Sequence, residues 1–137
     1  MHGEDRDDDP DGVRRAMLAA LPLLLAAADA RAQDATRVQP RAYRVVLDNE
    51  HLRVLEFNSR PGLGVCGTGV HSHPPHLTIA LSAARVRVRT PEGATFEGVN
   101  QPGDVWWSPA ETHETENISG RDIRALIVEL KARPGKA

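Results

Sequence analysis

Residues 71–90 read HSHPPHLTIALSAARVRVRT. Two short runs stand in this stretch. Leu77 to Ser82 (LTIALS) is apolar and too short for a stable helix, and Arg85 to Thr90 (RVRVRT) alternates arginine with valine. Alternation with period two is the signature of a strand with one wet and one dry face. The same period governs the sequence on either side. Tyr43 to Leu47 is β-branched and apolar, Asp48-Asn49-Glu50 forms a turn cluster, and His51 to Phe57 predicts a second strand. In that strand Leu55 and Phe57 share one face, and Leu52 and Val54 share the other. Downstream, Pro91-Glu92-Gly93 and Gln101-Pro102-Gly103-Asp104 are turns, and Val105-Trp106-Trp107 is a short strand. Ser108 to Thr112 is a polar break, and Ile123 to Leu130 (IRALIVEL) is the longest apolar strand, expected at the centre of its sheet. Turn signals recur every eight to twelve residues, with no helical stretch able to cover a sheet. That pattern predicts an all-β sandwich or barrel.

The chemistry lies in the histidines. His71, His73 and His76 fall within six residues, and His113 lies some 40 residues on. In a strand, His71 and His73 point to the same side, and a third imidazole from a distant strand closes a site across a barrel. His71, His73, His76 and His113 are therefore the candidate metal ligands. His2 and His51 lack such neighbours and are read as uninvolved.

These residues resemble the cupin family. The family's second motif, Gly-x5-Pro-x-Gly-x2-His-x3-Asn, is matched by Gly103, Pro109, His113 and Asn117. The internal glycine is missing, and the span from Pro109 to His113 is one residue shorter. The first motif is matched in part by His71-Ser72-His73-Pro74. The resemblance covers Tyr43 to Lys131, and it implies a single cupin-type β-barrel, a jelly-roll sandwich, over residues 43–131. Residues 33–42 are expected as a linker and 132–137 as a C-terminal tail. The departure is at the family's glutamate, because Leu77 and Thr78 occupy the positions where it would fall. Either His76 takes its place or His76 points outward and three histidines bind alone. In both cases the expectation is a site without a carboxylate.

Neutral imidazoles leave a divalent ion its full charge, which favours an anionic small-molecule ligand. An imidazole shell suits one transition-metal ion (iron, copper, zinc, nickel or manganese) better than magnesium or calcium. The resemblance implies dioxygenase, isomerase or lyase chemistry, or a non-catalytic periplasmic module that binds a metal or small ligand. It also leaves room for a homodimer through exposed edge strands.

Other residues carry weaker signals. Of Trp106 and Trp107, alternation sends one inward and one outward. Glu56, on the face of Leu52 and Val54, is either a partner of the site or a solvated edge residue. Arg85, Arg87 and Arg89 read as one solvated strand face, and Glu114 faces away from the site if its strand is regular. Asn117 reads as a turn residue, and Pro61 to Gly69, with four glycines, as a loop of tight backbone.

Composition sets the outer limits. A chain of 137 residues makes one domain. Its formal net charge of −2 and the lack of a dense basic cluster argue against a nucleic-acid partner. Cys66 is the single cysteine, so no intrachain disulfide forms, and the thiol is buried, reactive or shared between chains. Ahead of the domain, Arg14-Arg15 precede twelve apolar residues, Met17 to Ala28, and the small-residue site Ala30-Arg31-Ala32. This order predicts an N-terminal tail and cleavable signal peptide over residues 1–32, of Sec or twin-arginine type. The alternative is an amphipathic helix packed on the domain. A signal implies export to the periplasm or medium, with no membrane association after cleavage. The acidic stretch before it (Glu4, Asp5, Asp7, Asp8, Asp9, Asp11) is explained by a true start at Val13 or by a solvated tail.

Overall fold

A computed structural model of the chain describes residues 33–61 and 69–133. The expected signal segment, Cys66 and the last four residues lie outside them. Nine strands follow one short helix: α1 (Ala35–Val38), β1 (Tyr43–Asp48), β2 (Leu52–Ser59), β3 (His71–His73), β4 (His76–Ala80), β5 (Ala84–Arg89), β6 (Thr95–Asn100), β7 (Val105–Ser108), β8 (Glu111–Asn117) and β9 (Ile123–Leu130). They form a five-stranded sheet, β1-β2-β9-β4-β7, and a four-stranded sheet, β3-β8-β5-β6. Every strand pair is antiparallel. The architecture is the expected all-β jelly-roll sandwich, and β9, the longest apolar run, sits in the middle of the larger sheet.

Alternation builds the interior. In β2, Leu55, Phe57 and Ser59 are buried, and in β9 Ile123, Ala125, Ile127 and Glu129 are. The apolar core is Leu55, Phe57, Ile123 and Ile127 with Tyr43 and several alanines, Ala35, Ala42, Ala84 and Ala125. So many small side chains cannot fill the space between two sheets about 10 Å apart. A cavity of about 310 Å³ remains.

Three features depart from expectation. Residues 33–42 are docked on the domain and are not a free linker. Asp34 caps α1 by accepting from Thr36 N and bridges to Ser72, and Ala35 is fully buried. Strand β6 (TFEGVN) escaped the reading because its cavity-side residues Phe96 and Asn100 are not uniformly apolar and its other face carries the exposed Val99, so no alternation betrays it. The polar break after Ser108 is short, since β8 already begins at Glu111.

The outer faces hold the charges. Glu56 bonds Arg44 and Arg124 on the face opposite Leu55 and Phe57, so it is not a partner of the site. With β2 between β1 and β9 and its side chain 13% exposed, it is not a solvated edge residue either. Across β6, β5 and β8 the arginines form a ladder, Arg85 and Arg87 to Glu97, and Arg87 and Arg89 to Glu116. Asn117 ties the turn after β8, donating to Ser59 O and Arg121 O and accepting from Ser119 N. No helix among the described residues is long and apolar enough to cross a membrane.

Candidate metal centre

Strand pairing brings the histidines together. In the β3–β8 ladder His71 lies opposite His113, and His73 lies opposite Glu111. Side chains of one parity in paired strands share a face, so all four enter the barrel. The ring centroids of His71 lie 4.9 Å from those of both His73 and His113. One nitrogen from each of His71, His73 and His113 lies within 4.8 Å of the other two, a spacing one ion can bridge. His76, at the start of β4, stands beside this trio, its ring 5.1 Å from that of His73.

Hydrogen bonds set the tautomers. The Nδ1 of His71 is 2.7 Å from the carbonyl of Gly69, which can only accept, so Nδ1 carries the proton. The Nε2 lone pair then faces inward and accepts from the Tyr43 hydroxyl at 3.0 Å. The Nδ1 of His73 donates to Glu129 Oε1 at 2.8 Å. Its Nε2 is buried and has no hydrogen-bond partner. A lone pair turned into a buried space without a donor is costly unless something positive meets it. This unpartnered nitrogen, on one ring of the trio, is the observation that fits the residues to a metal ion.

Burial pushes the titrations apart. It lowers His71 to about 3, with the charge of a protonated His73 adding to the effect. It lowers His73 as well, against the pull of Glu129. Both rings are therefore neutral at pH 7, as a ligand must be. Burial works on His76 too, but hydrogen bonds to Glu111 and to the Pro74 carbonyl outweigh it and raise its pKa. Glu111 is held well below the usual carboxylate range by His113 and His76. Its Oε1 is 3.4 Å from His76 Nε2 and 3.5 Å from His113 Nδ1.

The expectation of a site without a carboxylate is thus overturned. Glu111 enters from β8, at a position the family motif leaves open, and Glu129 reaches the outer side of His73 from β9. Both were legible by parity. Glu111 is two residues from His113, and Glu129 continues the buried series Ile123, Ala125, Ile127.

The cavity opens from this cluster. His73, His76, Glu111 and His113 line its polar end, while Phe57, Val86, Val88, Phe96, Trp106 and Ile127 line the rest. Trp106 is the inward tryptophan, and Trp107 is exposed on the outside.

No protein-family model and no curated protein matches the sequence. Solved structures do. A cupin domain from Bordetella pertussis is 26% identical with a TM-score of 0.58, over 66% of this chain and 92% of that one. The chain belongs to the cupin superfamily. A second cupin-like neighbour is a protein with a double-stranded β-helix domain from Klebsiella pneumoniae, 19% identical with a TM-score of 0.51, over 68% of this chain and 78% of that one. The second match bears on fold alone. The jelly roll and histidine trio of this cupin agree with the family reading.

Proposed function

We propose that this cupin holds one divalent transition-metal ion on His71, His73 and His113 and acts on a small, mostly apolar molecule bound through an oxygen-bearing end. The unpartnered Nε2 of His73 carries the reading. Tyr43 would swing or shift its hydroxyl from His71 Nε2 to free that lone pair. A bound ion supplies Lewis-acid polarisation of a ligand oxygen. Beside it, His76 and Glu111 form a proton-handling pair, one biased toward the protonated form and the other toward the ionised form. His76 thus serves as an acid or base next to the ion and not as its fourth ligand. With Glu111 present, the ligand need not carry a full negative charge to balance the site. The arrangement suits isomerase or lyase chemistry by proton transfer. An imidazole trio also suits iron or copper, for which dioxygenase-type chemistry is the alternative.

Metal content of the purified chain and of His113→Ala, measured by mass spectrometry, tests the proposal. About one ion per chain, lost in the variant, is the expected outcome. Zinc, nickel or manganese would point to proton-transfer assays, and iron or copper to oxygen consumption. A wild-type chain that takes up none of these ions overturns the reading in favour of a metal-free binding module.

A further inference from the structure

Behind His73 runs a chain of polar groups that takes no part in lining the cavity. Glu129 is one of the most deeply buried side chains among the described residues, 2% exposed, on a strand whose other inward residues are apolar. An isolated carboxylate there would be expensive, so its retention needs a reason. Its two oxygens divide their work. Oε1 accepts from His73 Nδ1 at 2.8 Å, and Oε2 accepts from Arg53 Nε at 2.7 Å, with Arg53 Nη2 2.6 Å away as its ion-pair partner. The same Nη2 also donates to Asp34 Oδ2 at 2.6 Å. Asp34 is itself fixed, its Oδ1 accepting from Thr36 N and Thr36 Oγ1 at 2.9 and 2.5 Å. The relay therefore links α1, β2, β9 and β3, four separate parts of the chain, and ends on one imidazole.

We infer that Glu129 is a positioning residue: it fixes the tautomer and orientation of His73 so that Nε2 faces the ion, and Arg53, anchored by Asp34, clamps Glu129 in place. The physical reason is that a free imidazole exchanges its proton between two nitrogens and turns about its side-chain bonds. A carboxylate on Nδ1 removes both freedoms and makes Nε2 the more basic donor. The inference rests on the metal reading proposed above.

The test uses the full chain, with Co²⁺ as the probe metal and nitrogen-15 histidine spectra of the metal-free protein. In the wild type, His73 is expected as a single Nδ1–H tautomer. In Glu129→Gln the tautomers should mix, and Co²⁺ affinity should fall about 10–100-fold. Glu129→Asp keeps the charge opposite Arg53 but is one methylene short of His73. It guards against a Gln variant that does not fold, and it should show the same tautomer mixing with a smaller loss. A mixed or Nε2–H His73 in the wild type overturns the inference, as does wild-type Co²⁺ affinity in both variants. A wild type with the Nδ1–H tautomer and no Co²⁺ binding sinks the metal reading instead, and supports ring fixing by Glu129.

Discussion

At the scale of single residues, the site depends on backbone as much as on side chains. Gly69 has φ +81°, and a Cβ there would lie 2.8 Å from Gln39 Nε2. Its carbonyl is the partner that fixes the His71 tautomer. Gly69→Ala should cost about 1–2 kcal/mol from the left-handed backbone alone, and it should loosen His71. Urea unfolding together with Co²⁺ titration checks this. A variant with unchanged stability and unchanged affinity would show that this carbonyl is dispensable. His71, His73 and His113 were legible because HSH imposes one face and the cupin spacing supplies the partner strand. Glu129 was hidden in IRALIVEL, which scans as a plain apolar strand, and Glu111 in ETHETEN, which scans as a wet one. Composition gave the wrong weight to both, since period two places each on the inward face. Tyr43, the hydrogen-bond partner of His71, read only as β-branched company, because nothing local announces a contact across 28 residues.

At the scale of elements, the strands that alternate cleanly (β2, β4, β5, β9) were legible, and the edge strand β6 was not. A Cβ added at Gly98 in β6 would lie 3.5 Å from Val86, and the strand is held by its backbone pairing to β5 and by the arginine ladder. Ladder pairs are exposed and screened, so Arg85→Ala should change stability by less than about 1 kcal/mol. A larger loss in chemical denaturation would mean that β6 pairing depends on the charges. Glu56 makes a sharper case on the opposite sheet. Hydrogen bonds from Asn58, Arg44 and Arg124 hold it at about 2, against an ordinary 4.5. The unfolded chain therefore takes up this proton before the folded one does. The stabilisation is complete above about pH 4.5 and is lost as pH falls from there to about 2. Wild-type urea midpoints should drop across that window, and those of Glu56→Gln should drop less. Parallel curves for the two would refute the assignment.

At the scale of the whole molecule, the balance between core and cavity sets what the protein can do. The sequence announced two sheets and a histidine cluster. It did not announce a void, because a void is the absence of side-chain volume summed over strands far apart in the chain. Ala80, Ala84 and Ala125 all line it, and each points inward where a larger residue would normally close the barrel. About 310 Å³ is at the lower end of the range for small-molecule pockets. Ala84→Leu should therefore enter open space and not a packed core. Its apolar burial, worth up to about 2 kcal/mol, would offset whatever strain it introduces, so stability should hold or rise slightly. The metal trio lies on other strands and should keep its Co²⁺ affinity. What should go is room for a ligand. A chromophoric catechol such as 4-nitrocatechol offers two oxygens to the ion and an apolar ring to Val86, Val88 and Phe96, and its binding to the Co²⁺-loaded chain can be read from its absorbance. Binding by the wild type and its loss in Ala84→Leu, with metal affinity kept, would tie cavity and metal into one site. Equal binding by both would separate them, and the alanines would then reflect only how closely these two sheets pack.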